Sequence, residues 1–235
     1  MADDDFGIES LSEYLHLDPA QVLRLVERGK LPGRKVGGQW RFAPAQVHHW
    51  LEERIGLSSD DELEKMEGVL RRAAGEEAEP SISIAELLPL SAIAVPLAAR
   101  TRGSVITSMV ELAAASGWLW DSAKMAEAVR AREDMVPTAL EQGVALLHPR
   151  RPLPGILAQP LLAFGRTASG IPFGAPRGKL TDLYFLICST NDAEHLRVLA
   201  RLSRLISDPD LLAALRAADD AHSVHTVIAE REARL

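Results

Sequence analysis

The sequence predicts a two-domain α/β (α+β) protein, in which a small helical domain precedes a mixed β-sheet flanked by helices. Three observations support this prediction. Helical apolar patterns surround a Gly-Gly turn within the first 55 residues. A strongly charged stretch then has the composition of a linker. From about Ile84, short apolar runs alternate with amphipathic patterns, as in layered domains of strands and helices. The predicted parts are residues 1–56, a charged helical linker at 57–82, and residues 83–235.

The elements of the first domain follow from its turn and capping residues. Asp18-Pro19 predicts a helix start, because a capping oxygen precedes a proline at the first helical position. Apolar residues then recur at helical spacing as far as Gly29. Residues 36–42 alternate apolar and polar side chains around a Gly-Gly turn, which is typical of a β-hairpin. Pro44 opens a further helix.

Strands and helices alternate through the second domain. Apolar runs predict strands at 144–147, 160–165 and 180–188. Amphipathic spacing predicts helices at 103–116, 122–133, 192–206, 208–215 and 222–233. Four glycines predict turns between strands, namely Gly165, Gly170, Gly174 and Gly178.

Composition limits the class of protein and its location. The net charge of −7 argues against a chain that covers nucleic acid or membranes with its whole surface. A single cysteine, Cys188, excludes an internal disulfide and fits a reducing compartment. The acidic N-terminus is unlike a secretory signal, and no apolar stretch approaches the roughly twenty residues that span a bilayer. We therefore expect a cytoplasmic protein without a membrane partner.

Positive charge is concentrated in the first domain. Between Gln21 and Arg41 there are six cations and one anion. The run from Arg28 to Phe42 and the flanking apolar positions resemble the excisionase-type, MerR-related helix-turn-helix family. The resemblance implies a winged helix-turn-helix domain, in which the second helix enters the DNA major groove and the hairpin wing contacts the backbone.

Two groups of polar side chains fit DNA binding in such a domain. Amide and guanidinium groups on the polar side of the second helix suit base edges: Gln21, Arg24 and Arg28. Cations of the loop and wing suit phosphates: Lys30, Arg34, Lys35 and Arg41. Because about five phosphate contacts give only loose binding, specific binding requires a second copy, and we expect a homodimer. A module that contacts protein instead of DNA is the alternative.

A histidine at the end of a short strand is the main chemical feature of the second domain. Residues 143–148 form an apolar run that ends in His148. Arg132, Glu133 and Thr138 precede it, and His195 lies in a helical stretch further on. Imidazole is nucleophilic in its neutral form near pH 7. The pattern therefore suits a histidine that accepts and donates a phosphoryl group.

The order of these motifs resembles the enzyme IIA domain of the mannitol/fructose class of the bacterial phosphotransferase system, including its nitrogen-regulatory branch. The resemblance implies that His148 accepts phosphate from a histidine phosphocarrier protein (HPr or an HPr-like protein). It implies that Arg132 offers a planar fork to phosphate oxygens and that His195 hydrogen-bonds the phosphoryl group. The Thr138 hydroxyl would donate to the same oxygens. The family's proline before the histidine is replaced by Leu147, and a proline follows as Pro149.

These expectations lead to one function and one alternative. The first is a DNA-binding regulator whose IIA-type domain accepts a phosphoryl group on His148 and couples the phosphotransferase system to regulation. The alternative is a transcription factor whose IIA-like domain is inactive in phosphotransfer and serves as a platform for dimerisation or partner sensing. We expect no cofactor and no metal, because the paired histidines of the chain lack a third ligand at a suitable spacing.

Overall fold

The computed structural model describes residues 5–15, 17–44, 46–47, 50–51 and 82–235. The first part contains helices α1 (Ile8–Leu15) and α2 (Pro19–Glu27). Asp18 begins α2 as predicted, because its carboxylate accepts the Ala20 N–H at 2.8 Å while Gln21 Oε1 accepts the Asp18 N–H at 3.2 Å. Helical backbone recurs at positions 44, 46, 47, 50 and 51.

The predicted hairpin is confirmed in the first part. Strands β1 (Arg34–Val36) and β2 (Gln39–Arg41) pair antiparallel. Gly37 and Gly38 join them with φ of +59° and +82°, values that glycine adopts without steric cost. Phe6 and Phe42 exchange two backbone hydrogen bonds of 2.9 and 3.0 Å, so the segment before α1 runs alongside the end of the wing.

A four-stranded mixed sheet organises the second part, as the sequence predicts. Its strands are β3 (Ile93–Ala94), β4 (Val144–Leu147), β5 (Leu161–Pro172) and β6 (Leu180–Cys188), in the spatial order β3-β5-β6-β4. β3 is parallel to β5 and β4 is parallel to β6, whereas β5 and β6 are antiparallel. All four residues of β4 are buried, which indicates that both faces of the strand are covered.

Helices cover the sheet and begin at well-defined caps. They are α3 (Arg102–Ala114), α4 (Ser122–Met135), α5 (Asp192–Ile206), α6 (Pro209–Ala217) and α7 (Ala221–Glu232), within two residues of the predicted bounds. Short 3₁₀ turns occupy Leu90–Ala92, Pro154–Ile156 and Pro176–Gly178. α3 packs on α4 and on β5 and β6. Glu232 at the end of α7 accepts the N–H groups of Ile84 and Ala85 at 2.7 and 3.0 Å, which ties the last helix to the start of the domain.

One strand ends later than predicted, and two predicted turns are wrong. The strand expected at 160–165 continues to Pro172, so Gly165 and Gly170 lie within β5. Close packing favours glycine at Gly165, because a Cβ would stand 2.7 Å from Met109 Sδ and 2.9 Å from Leu97 Cδ2 and these buried side chains would have to shift. Gly174 and Gly178 do lie between β5 and β6, with φ of +86° and +67°.

The single cysteine ends strand β6. Cys188 is buried, as its apolar neighbours predict, and burial raises the pKa of its thiol to about 12. Such a thiol is an inert part of the core. Among the described residues, no helix is both long enough and apolar enough to cross a membrane. Residues 57–81 of the predicted linker lie outside the described residues, so the three-part division of the chain stays a prediction.

The close approach at Gly165 leads to a stability prediction. Gly165→Val forces its side chain into the positions of Met109 and Leu97, and we expect it to lower the free energy of unfolding by about 1–3 kcal/mol. Gly155→Val is the matched control, because nothing lies within 4 Å of the added Cβ there. Urea unfolding of both variants measures the difference. Equal stability of the two variants would contradict the packing argument.

Candidate functional site

Parallel pairing of β4 and β6 places the ends of both strands at one edge of the sheet. His148 directly follows β4, and Ser189 directly follows β6. Three residues further on, Asp192 begins α5 and brings His195 into the first turn of that helix. The rings of the two histidines lie with their centroids 5.1 Å apart and are tilted by 51°. The predicted histidines are therefore neighbours, although 46 residues separate them in the chain.

Both histidines are buried, and one nitrogen of each has a defined partner. His148 is 3% exposed and His195 is 4% exposed. His148 Nδ1 lies 2.8 Å from the carbonyl oxygen of Leu146. Because a carbonyl only accepts, this contact puts the proton on Nδ1 and assigns the lone pair of the neutral ring to Nε2. His195 Nδ1 lies 3.3 Å from Ser189 Oγ.

A tight turn carries Thr138 to the same edge. Gly143, with φ of +83°, reverses the chain directly before β4. The segment before the turn then runs antiparallel to β4: the Leu140 N–H donates to Val144 O at 2.8 Å, and the Leu146 N–H reaches Thr138 O at 3.4 Å. Thr138 thus stands beside the backbone that carries His148. Leu147 continues β4 in register with Leu186, so the strand persists with leucine at the position where the resemblance led us to expect proline.

The last turn of α4 contributes two buried charged residues. Arg132 is 6% exposed and its Nη1 donates to Val136 O at 2.8 Å. Glu133 is 1% exposed and accepts the Thr138 N–H at 3.2 and 3.3 Å, together with a short hydrogen bond from the Thr138 hydroxyl. In this structure the Thr138 hydroxyl therefore donates to Glu133, whereas the sequence suggested a role towards phosphate oxygens. The carboxylate is its stronger acceptor because it is charged.

Burial dominates the electrostatics of Glu133. Desolvation raises the pKa of its carboxyl above the ordinary value of 4.5. The hydrogen bonds from Thr138 and the charges of Arg102 and His148 act in the opposite direction but do not cancel the effect of burial on the pKa. His148 is thus close enough to Glu133 to act on the charge of its carboxyl.

Sequence reasoning missed two residues of the site. Arg102, at the start of α3, lies 3.6 Å (Nη2) from Glu133 Oε2 and 3.4 Å (Nη1) from Asp134 Oδ1. Its guanidinium carbon also stands 5.8 Å from the centre of the Phe173 ring. Ser189 was missed because an isolated serine after a strand carries no pattern. The contacts of Arg102 and of Ser189 arise from the tertiary fold. The only signal in the sequence would have been that each residue lies next to the end of a helix or strand.

The structure places the predicted DNA-binding residues of the first part on its surface. Gln21, Arg24, Arg28, Lys30, Arg34 and Lys35 are exposed, and Arg41 is half-buried. Arg28 is not on the second helix as expected, because α2 ends at Glu27 and Gly29, with φ of +65°, turns the chain away. Lys35 lies 5.0 Å over the Trp40 ring, and Arg41 Nη2 donates to Gln39 at 3.3 Å.

One wing cation has an anionic neighbour within the chain. Arg34 Nη2 lies 2.9 Å from Asp5 Oδ2 in the segment held by the Phe6–Phe42 pairing. The side chain of Arg34 is 69% exposed, so this ion pair is a surface contact of modest strength.

In the part of the chain that the structure describes, a metal site would require the usual arrangement of ligands, three or more His, Cys, Asp or Glu side chains held close together. No group of three or more His, Cys, Asp or Glu side chains there is arranged to hold a metal ion. His48 and His49, which the sequence offered as a pair without a third ligand, lie outside the described residues.

The fold and the edge at which the two histidines meet define a IIA-type domain of a phosphotransferase system, preceded by a helix-turn-helix. The sequence model of the phosphoenolpyruvate-dependent sugar phosphotransferase system, EIIA 2 family matches residues 86–231, and the chain belongs to this family. A second model, described as a helix-turn-helix domain, matches residues 6–55 and indicates DNA binding by the first domain. The chain therefore combines a DNA-binding module with a phosphotransferase-system domain.

Relatives of both the sugar and the nitrogen branch match the second domain. The crystal structure of the nitrogen regulatory protein IIA-Ntr from Neisseria meningitidis shares 30% identity at a TM-score of 0.56, covering 62% of this chain and 98% of that one. A nitrogen regulatory protein of Bradyrhizobium diazoefficiens is 35% identical over 44% of this chain and 67% of its own length. The fructose-specific EIIABC component of Bacillus subtilis is 28% identical over 64% of this chain, which spans 24% of that protein.

The buried Glu133 carboxyl leads to a pH-dependent prediction. Since its folded-state pKa is raised, the folded protein binds this proton more tightly than the unfolded chain does. The destabilisation that comes from ionising the buried Glu133 carboxyl is absent below the pKa of the unfolded chain. It grows as the pH rises through the folded-state pKa and is fully present above it. We therefore expect Glu133→Gln to gain stability relative to wild type as the pH rises from about 4.5 to 8.

Urea unfolding across that pH range measures the effect. Glu111→Gln, on the exposed side of α3, controls for the loss of one negative charge. A difference between wild type and Glu133→Gln that stays constant with pH would refute the assignment.

Proposed function

We propose that this protein is a regulator in which residues 83–235 accept a phosphoryl group on His148 from an HPr-like phosphocarrier. Residues 1–56 bind DNA, and the linker at 57–82 joins the two activities. One observation carries the proposal: His148 and His195 meet at one sheet edge, and a backbone carbonyl holds the His148 Nδ1 proton. That arrangement presents Nε2 as the nucleophile.

The transfer step uses the lone pair of His148 Nε2. It attacks the phosphorus of the donor phosphohistidine and forms an N–P bond, while the donor's own P–N bond breaks and its electron pair returns to the donor imidazole. Nδ1 keeps its proton at the Leu146 carbonyl, so the phosphorylated ring is cationic and is a good leaving group for onward transfer. Glu133, whose charge interacts with His148, stabilises that cation.

The charge on the transferred group requires cations and donors. In the transition state the charge is spread over three equatorial oxygens, so positioning and electrostatic stabilisation dominate catalysis. Arg132 offers a buried guanidinium from the end of α4. Arg102 balances Glu133 and Asp134, which would otherwise repel the incoming anion. His195 supplies a ring N–H next to His148.

Phosphorylation supplies the proposed link to regulation. It places a phosphoryl group of about −1.5 to −2 charges, beside the positive charge of the ring, at the edge of the sheet, which changes how that surface meets a partner or a second copy. Because one helix-turn-helix binds DNA loosely, a change in dimer geometry alters DNA occupancy strongly. The relatives that are named as nitrogen regulatory proteins support a regulatory output.

The burial of both histidines favours a second candidate. With His148 3% exposed, a phosphocarrier cannot reach Nε2 unless neighbouring groups move. A IIA-like domain that never opens would act as a platform for dimerisation or partner sensing, and the DNA-binding domain would carry the function alone.

Phosphate transfer to His148 distinguishes these candidates. The full chain is incubated with phosphoenolpyruvate, enzyme I and a histidine phosphocarrier, and acid-labile phosphate is measured by mass spectrometry. We expect His148→Ala to abolish incorporation and His195→Ala to slow it by about 10²–10³-fold, the usual cost of one transition-state donor.

His222→Ala, an exposed histidine on α7, is the matched control and should react like wild type. No phosphate on the wild type, or undiminished phosphate on His148→Ala, would eliminate the carrier function and leave the platform.

Salt-dependent binding to genomic DNA fragments tests the first domain. We expect Arg24→Ala combined with Lys35→Ala to weaken binding and to reduce the slope of log K against log salt by about 0.9 for each phosphate that the variant no longer binds. Lys124→Ala with Arg151→Ala makes the same change in net charge on exposed positions of the other domain and should leave both quantities unchanged. If the two double variants behave alike, the helix-turn-helix does not contact DNA through these residues.

A further inference from the structure

Ser189 occupies a position that the proposed transfer step has not yet used. It is the first residue after β6, it is 2% exposed, and its Oγ lies 3.3 Å from His195 Nδ1. It stands at the same sheet edge as His148, because β4 and β6 are parallel neighbours. A buried hydroxyl in contact with a ring nitrogen decides which nitrogen of that ring carries the proton.

The direction of the hydrogen bond between Ser189 and His195 follows from the other acceptors available to the Ser189 hydroxyl. Among the residues that the structure describes, no other acceptor lies within hydrogen-bond distance of Ser189 Oγ. If His195 Nδ1–H donated to the serine, the hydroxyl proton would be buried without an acceptor, which is an expensive arrangement. If the hydroxyl donates to Nδ1, its proton is satisfied. His195 then carries its own proton on Nε2.

We infer that Ser189 is a positioning residue that holds His195 in the Nε2–H form, so that His195 donates a hydrogen bond to a phosphoryl group on His148. The phosphoryl half of this inference rests on the proposed function. The tautomer half rests on geometry alone and is tested separately.

The two histidines then hold opposite tautomers for opposite tasks. The Leu146 carbonyl keeps the proton of His148 on Nδ1, which leaves Nε2 nucleophilic. Ser189 keeps the proton of His195 on Nε2, which makes that nitrogen a donor. A phosphoryl group has only acceptor oxygens, so a neighbouring ring helps only when it presents an N–H. The Leu146 carbonyl and the Ser189 hydroxyl thus give two histidines, His148 and His195, different tautomers and different roles.

Nitrogen NMR of the unphosphorylated full chain tests the tautomers directly. Spectra of ¹⁵N-labelled protein at about pH 8 lie above the ordinary pKa of imidazole, where the neutral tautomers are distinguished. We expect the shift of an unprotonated nitrogen at His195 Nδ1 and of a protonated nitrogen at Nε2. Ser189→Ala should move both shifts towards the values of mixed tautomers, and Ser189→Thr, which keeps the hydroxyl, should restore them.

Thr190→Val is the matched control. Thr190 is the next residue, and its hydroxyl donates to Glu194 at 3.0 Å and not to a histidine, so the His195 shifts should stay as in wild type. A wild-type His195 protonated on Nδ1, or shifts that Ser189→Ala leaves unchanged, would overturn the inference.

Phosphotransfer rates provide the second readout. We expect Ser189→Ala to slow phosphorylation of His148 by about 2- to 10-fold, the net worth of one hydrogen bond, and Ser189→Thr to recover most of the loss. An unchanged rate in Ser189→Ala would overturn the donor role of His195. If wild type takes up no phosphate while NMR shows the Nε2–H form, the proposed function fails and the donor role fails with it, but the tautomer assignment stands.

Discussion

The parallel pairing of β4 and β6 is the constraint on which the site depends. Its register matches Leu147 with Leu186, so the two strands end almost level and release His148 and Ser189 at the same edge. An antiparallel pairing would send these residues to opposite ends of the sheet. The strand order in turn depends on β5, which is parallel to β3 and antiparallel to β6. The site therefore depends on the directions of the strands in the mixed sheet, because these directions bring His148 and Ser189 to one edge.

A buried carboxylate connects this edge to the helices. Glu133 accepts from Thr138 in the segment beside β4 and faces Arg102 from the start of α3. Burying an anion is costly unless hydrogen bonds and opposite charge offset the loss of water. Here the compensating groups, Thr138 and Arg102, come from separate elements. Their contacts with the same carboxylate fix the positions of both elements relative to Glu133. The buried Glu133 carboxyl is therefore also a constraint on the geometry of the site.

The sequence predicts much of this fold, and the reasons are physical. Capping residues, the Gly-Gly turn and apolar periodicity are local, so the helices, the wing and the strands β4 and β6 are foreseen closely. Gly165 is misjudged because its role is set by Met109, 56 residues earlier in the chain. The same holds for Arg102 and Ser189. Their importance lies in what the fold brings next to them, and no spacing along the chain encodes such a contact.

The ion pair of Arg34 with Asp5 means that one cation of the wing already has an anionic partner within the chain. A DNA phosphate approaching Arg34 would replace one anion with another, since the carboxylate already lies 2.9 Å away. The contribution of Arg34 to the free energy of DNA binding would then be only the difference between its interaction with the phosphate and its interaction with Asp5. Mobile ions weaken both pairs, so if Arg34 bound a phosphate it would contribute less to the salt dependence of binding than an arginine without an anionic neighbour. Asp5 is thus a counterion of Arg34 that the chain itself supplies, and a phosphate that bound Arg34 would have to displace it.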